Sequence, residues 1–388
     1  MNRTVWNVVQ KYTMILVLVL VLLFFFIQTD GKILAPQNIT NLIAQNAYVF
    51  VLATGMLLCI LTGGNIDLSV GSVACFVGAV GATMMSKGSN IWLAVCAMLA
   101  IGLVIGAIQA YWIAYVRVPP FIVTLAGMLI FRGLSNVVLQ GRTVSVTDPL
   151  FVRVFGGGAD CYVPDFFGGQ QINLLALIVG ITVSGLFLLV QLLTRATRTK
   201  KGYSNEPLLV TLVQTILMMA AILFFSYQLS RYKGIPTALI WVVIVVLIYG
   251  YITSKTTVGR YFYAVGGNEK AAKLSGINTN QVYFIAYTNM GLLAAVAGML
   301  TIARMTSAQP TYGQNYEMDA IGSCFIGGAS AYGGIGTVQG VIVGATLMGV
   351  INLGMSIMGV DANWQKVVKG MVLLAAVIFD IVSKRSKE

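Results

Sequence analysis

Apolar residues in this chain come in long runs, not at alternate positions. The runs fall near 12–27, 43–62, 68–85, 91–116, 121–139, 172–193, 208–229, 238–252, 283–303, 318–332, 337–357 and 367–382. A helix needs about 20 residues to cross ~30 Å of hydrocarbon, so most of these runs are long enough. The shorter or glycine-broken ones admit a re-entrant reading. Runs such as MILVLVLVLLFFFI (14–27) show no polar–apolar alternation, which sets aside an outer-membrane barrel. The pattern predicts an all-α polytopic membrane protein of about 10–12 transmembrane helices. QTDGKILAPQ follows the first run without a small-residue cleavage site, so that run is expected to be an uncleaved span, not a signal peptide.

Composition strengthens this picture. The 388 residues are 58% hydrophobic and 9% charged, with a mean hydropathy of +0.86. A soluble domain carries roughly 25% charged residues, far more than this chain has to clothe a wet surface. The net charge of +12 fits basic cytoplasmic loops better than nucleic-acid binding. Arg3 and Lys11, the loop 194–207, the stretch 253–281 and the tail SKRSKE are all basic. An alternating path places them on one side, the cytoplasm, with both termini inside and an even number of crossings. The loop 140–171, with Asp148, Asp160 and Asp165, then falls outside, as does 304–317.

Two glycine-rich stretches resemble each other: TGGNIDLSVGSVACFVGAVGAT (62–83) and IGGASAYGGIGTVQGVIVGAT (326–346). On the same path both point the same way, as parallel pseudo-repeats near 43–139 and 283–382. Composition alone also makes glycine-rich membrane helices look alike. In the first copy, Asn65, Asp67 and Ser69 are polar groups embedded between apolar runs. Such groups line a pathway or cap a helix, and Asp67 is suited to both. In the second, Ser330, Tyr332 and Gln339 offer neutral groups suited to an uncharged polar substrate, while tight helix packing explains the glycines equally well.

Between the apolar runs lies GGNEKAAKLSGI (266–277), with three charges in twelve residues. Asn268 is a good N-cap, Glu269 suits the positive end of a helix dipole, and Gly276 suits a helix stop. Glu269 and Lys273 are spaced for an i,i+4 pair. A helix this short is unstable alone and must be held by packing. Its face of Ala271, Ala272, Leu274 and Ser275 is too shallow to dip into lipid and better suited to a cleft on a partner protein.

Several chemistries are missing. There is no histidine and no CxxC among the five cysteines, so most zinc and haem sites and every histidine-based catalytic arrangement are excluded as readings. Asp67, Asp319 and Asp380 are the acidic residues in or beside apolar runs, and all lie near run ends, which disfavours a proton-driven carrier. No GxxxxGK[ST] is present, so ATP powering this chain must be hydrolysed by another subunit. Arg117 and Arg132, flanking a Pro-Pro turn and its helix, read as interface anchors.

GRYFYAVGGNEKAAKLSGIN, GGNIDLSVGS, VPPFIVTLAGMLIFRG and YEMDAIGSCFIGGASAYGGIGTVQG resemble the membrane subunits of bacterial ABC monosaccharide importers, the ribose, xylose and multiple-monosaccharide permease family. The basic loop and spans near 172–237 resemble an insertion of the longer xylose and multiple-sugar branch. Asn65 stands where that branch commonly has an acidic residue. The resemblance implies a single transmembrane permease domain over 1–388, with no enzyme activity and no cofactor of its own. ATP and Mg would bind a cytoplasmic ATPase with two nucleotide-binding halves. That subunit would dock on a coupling segment within 253–281, through Gly266, Gly267, Asn268, Glu269, Ala271, Ala272, Leu274, Ser275 and Gly276. The implied partners are an extracytoplasmic sugar-binding protein, a second copy of the chain and membrane lipid, in the bacterial cytoplasmic membrane. Asn65, Asp67, Ser69, Ser330, Tyr332 and Gln339 are the expected pathway or gate residues. The alternatives are an ion-coupled secondary transporter of a small polar solute and an ABC amino-acid permease.

Overall fold

A computed structural model of the chain describes residues 3–156, 161–169, 171–203 and 208–385. Asp160, residues 204–207 of the basic loop and residues 386–388 of the tail lie outside the described residues. The helices in chain order are α1 (Arg3–Gln28), α2 (Pro36–Leu61), α3 (Val70–Ser86), α4 (Ile91–Ala114) and α5 (Pro120–Leu139). Then come α6 (Pro149–Phe155), α7 (Leu174–Lys200), α8 (Leu208–Ser230), α9 (Thr237–Lys255) and α10 (Thr257–Gly267). The last five are α11 (Glu269–Leu274), α12 (Thr279–Met305), α13 (Tyr316–Ile326), α14 (Val338–Ile357) and α15 (Ala362–Arg385). A two-residue pair of strands, β1 (Val144–Ser145) and β2 (Ser307–Ala308), runs antiparallel.

The protein is an all-α polytopic membrane protein. Among the described residues, α2, α4, α5, α7, α8, α9, α12 and α14 are long and apolar enough to cross a bilayer. Met14–Gln28 and α3 are shorter apolar helices. The apolar run at 318–332 differs from the others. Only α13 is helical there, 11 residues and so about 16 Å long at 1.5 Å per residue, and it gives way to the loop 327–337. Glycine-rich sequence cannot hold a long helix at that point, because Gly328, Gly333 and Gly334 take φ values of +85°, +85° and +70°.

The chain divides into two compact units. The first comprises Met1–Gly31, Leu42–Cys161 and Thr237–Glu388. It holds α2 from Leu42 onward, and every residue of that helix from Val49 to Leu61 is buried. The backbones of α4 and α12 cross in close contact at Gly102, Gly106 and Gly291, where small residues replace the hydrophobic drive that lipid cannot supply. Large apolar side chains on the outer helices, such as Leu129 and Val137 on α5, are exposed, as a lipid-facing surface requires. Cys59, Cys75, Cys161 and Cys324 are buried fillers, whereas Cys96 on α4 is exposed.

The second unit comprises Lys32–Asn41 and Tyr162–Pro236. Here α7 and α8 pair along a stripe where Gly180 meets Ser226, and the Ser226 hydroxyl donates to the Ala176 carbonyl. Asp165 gathers the N–H groups of Phe167, Gly169, Leu174 and Leu175 at the start of α7.

Candidate functional site

The short polar helix forms where its sequence dictates. Asn268 leaves helical geometry, with φ −161° and ψ 102°, so it closes α10 and opens α11. Its side chain accepts from the Ala271 N–H at 3.0 Å, satisfying a donor that a helix start leaves unpaired. At the other end Gly276 takes φ +86°, and the Ile277 N–H reaches back to the Ala272 carbonyl at 3.1 Å.

The orientation of α11 corrects one expectation. Ala272 is buried against the protein itself, so the alanine pair is not a single outward face. Asn268, Lys270, Ala271, Lys273, Ser275 and Gly276 are exposed, and Leu274 stands out at 90% exposure. Glu269 departs from the expected pairing with Lys273 as well. Its Oε1 accepts from the Arg117 guanidinium at 2.7 Å and its Oε2 from the Tyr283 hydroxyl at 3.1 Å. Partial burial pushes the Glu269 carboxyl up, but hydrogen bonding and charge from Arg117, with the Tyr283 and Thr279 hydroxyls, outweigh it and hold the group below its ordinary range.

Arg117 is the residue that sequence reasoning undervalued. It sits in the α4–α5 turn at φ +65°, a region that non-glycine residues seldom adopt. From there its guanidinium reaches Glu269, the Thr279 hydroxyl at 3.1 Å and the Asn280 side chain, and lies 5.5 Å from the centre of the Tyr283 ring. One cation therefore ties α11 to the start of α12 and to the α4–α5 turn. Its position before Val-Pro-Pro was the only cue in the sequence.

Beside this network three glycine-rich segments meet backbone to backbone. A methyl group on Gly266 would fall on the Leu61 carbonyl, and one on Gly64 would fall on the Ala331 carbonyl. The Gly334 N–H donates to that same Leu61 carbonyl at 3.1 Å. Tyr263 on α10 adds a bond from its hydroxyl to the Gly336 carbonyl at 2.9 Å. The two glycine-rich stretches thus converge on the base of the polar helix.

The expected pathway residues separate into different settings. Asn65 is half-buried, donates to the Thr62 carbonyl at 3.3 Å and lies beside the Tyr283 hydroxyl. Asp67 is buried and folds back along α2, its N–H against the Met56 sulfur, while its Oδ1 accepts from the Ser69 N–H and hydroxyl at 2.8 and 2.7 Å. Ser69 also exchanges hydrogen bonds with the Gln109 side chain, so Asp67 organises the start of α3. Ser330 is buried in its loop and accepts from the Tyr332 N–H at 3.1 Å. Tyr332 and Gln339 are exposed. Arg132 reaches the Tyr312 carbonyl at 3.3 Å.

Residues 38–377 match the family described as branched-chain amino acid transport system / permease component. The chain is 36% identical over 382 residues to the xylose transport system permease protein of Haemophilus influenzae, covering 97% of each. It is 36% identical over 377 residues to the xylose permease of Escherichia coli, covering 97% of this chain and 93% of that one. Identity to the Escherichia coli ribose import permease is 34% over 376 residues, covering 97% and 94%. No solved structure matches.

Proposed function

The chain belongs to the branched-chain amino acid transport system / permease component family, and we propose that it is the membrane half of an ATP-driven monosaccharide importer. As a permease component it moves solute and is not an enzyme. The observation that carries the proposal is α11: a capped, six-residue helix whose Leu274 is 90% exposed while Glu269 and Ala272 fix it to the body of the protein. A helix this short needs anchoring, and the anchoring leaves an apolar knob for a partner.

A cytoplasmic ATPase with two nucleotide-binding halves would hold ATP and Mg and dock on the segment Gly266–Gly276. Its movement would pass through Glu269 to Arg117 and Tyr283, and through Gly266 to the loops at Leu61–Gly64 and Ala331–Gly334. These loops, with Asn65 and Asp67, would form the inner gate. A second copy of the chain and an extracytoplasmic binding protein would complete the importer in the bacterial cytoplasmic membrane. The stretches near 43–139 and 283–382 would be its parallel pseudo-repeats.

Xylose is the leading cargo, supported by relatives named as xylose and ribose permeases over nearly the whole chain. Amino-acid cargo is the second reading, favoured by the family description. Co-purification of the tagged chain with proteins encoded beside it, followed by a ligand screen of the extracytoplasmic partner, tests both. A partner that binds D-xylose or another monosaccharide supports sugar import. One that binds only branched-chain amino acids contradicts it.

A further inference from the structure

Within the first unit, at the end opposite α11, a cavity of about 610 Å³ lies between residues 44–48 of α2, the end of α12, the start of α13 and the end of α14. It falls within the usual ~300–1,000 Å³ range of small-molecule sites. From Asn46 at its wall to Leu61 at the glycine junction is 15 residues of α2, about 22 Å at 1.5 Å per residue. The cavity is therefore separated from the coupling end by the continuously buried part of α2.

Two kinds of group line it. The amides of Gln45, Asn46 and Asn352 each carry donors and an acceptor on one planar unit. The Asn352 Nδ2 faces the Asn46 Oδ1 at 3.4 Å, and the Asn352 Oδ1 is buried without a hydrogen-bond partner among the described residues. The second group is aromatic: Tyr48 and Tyr316 stack with ring centres 3.7 Å apart and planes 17° from parallel. Their position is fixed from behind. The Tyr48 hydroxyl donates to Asp319 at 2.8 Å, and Asp319 is paired with Lys369 at 2.9 Å.

We propose that this cavity is the outer holding site of the pathway and takes a neutral sugar, through amide pairs that match adjacent hydroxyls and an aromatic wall that meets the ring's C–H face. A hydroxyl both donates and accepts, as an amide does, so neighbouring hydroxyls suit the amides that line the cavity. Among the described residues, Arg304, a donor, is the one charged group lining the cavity, and no carboxylate lines it. The ammonium of an amino acid would find no counter-charge there. The inference rests on the sugar-import reading and adds the site and the residues that select the cargo.

The test is a labelling experiment that requires no import. The full chain with Cys96→Ala and Met305→Cys is placed in right-side-out membrane vesicles and treated with a membrane-impermeant maleimide. Met305 is exposed at the cavity rim, and the other native cysteines are buried. Labelling from outside that D-xylose or D-ribose slows several-fold supports the site, as does loss of that protection on adding Asn352→Leu. If Asn352→Leu prevents insertion, Asn46→Asp replaces it, with the same loss expected. No labelling from outside, or no slowing by either sugar, overturns the proposal. So does protection by L-leucine or D-xylonate alone, or protection that survives both substitutions. Uptake of radiolabelled sugar by the complete importer is measured separately. Uptake without protection sinks the holding site alone, whereas protection without ATP-dependent uptake sinks the import reading alone.

Discussion

The Arg117 guanidinium meets the Glu269 carboxylate at 2.7 Å, joining two stretches 152 residues apart in the chain. Both side chains are substantially exposed, at 43% and 37%. Exposed pairs are worth only about 0–1 kcal/mol, so the pair matters for where it holds α11, not for how stably the protein folds. Arg117→Ala and Glu269→Gln should therefore leave the thermal midpoint nearly unchanged. Partner-stimulated ATP hydrolysis and uptake should fall about tenfold, a coupling loss of roughly 1.4 kcal/mol. Measuring melting and stimulated hydrolysis on the same preparations checks this. Equal losses in both would make the pair merely structural.

The same pair has a predictable response to acid. The folded-state carboxyl of Glu269 is held below its ordinary value, so its contribution is fully present above the unfolded value and is lost as pH falls through the folded one. The small difference in stability between wild type and Glu269→Gln, within about 1 kcal/mol for an exposed pair, should stay flat from neutral pH down to the ordinary glutamate range. It should then shrink and vanish below the folded value. A denaturation series at stepped pH reads this directly. A difference that grows on acidification would contradict the sign.

Adjacent glycines should behave differently. Gly266 abuts the Leu61 carbonyl, whereas nothing lies within 4 Å of a methyl placed on Gly267. Gly266→Ala forces backbone against backbone and should cost about 1–3 kcal/mol. Gly267→Ala should stay within about 0.5 kcal/mol. Thermal unfolding of the two variants in detergent separates them, and equal shifts would mean that the glycine junction is looser than described.

Asp319 is 2% exposed and its partner Lys369 19%. Removing one member of a buried pair leaves an uncompensated charge, at a cost of about 3–5 kcal/mol. Lys369→Leu should therefore destabilise strongly, and adding Asp319→Asn should recover much of the loss. A double-mutant cycle on unfolding measures the recovery. No recovery would mean that the two residues act independently.

Much of this architecture was written locally. The apolar runs mark the spans because a backbone in lipid must satisfy its own hydrogen bonds. Asn268 and Gly276 mark the polar helix because capping chemistry is short-range. What escaped was long-range. The sequence placed Glu269 opposite Lys273, but Arg117 comes from another turn, and no spacing rule reaches across 152 residues. Ala271 and Ala272 looked equivalent until packing buried one of them. The convergence of Gly64, Gly266 and Gly334 was equally hidden, since glycine announces close approach without naming the partner. The Tyr48–Tyr316 wall joins the start of α2 to α13, and neither tyrosine stands out in its own run.

The proposed grip of an ATPase on α11 can be tested in liposomes holding the chain with ATPase and binding-protein partners, comparing wild type with Leu274→Glu. Leu274 is 90% exposed, so the substitution should leave the fold intact. Wild type should accumulate sugar when ATP is supplied, and Leu274→Glu should show neither ATPase binding nor accumulation. Accumulation on an ion gradient without the ATPase, or undiminished ATP-driven uptake by Leu274→Glu, would contradict it.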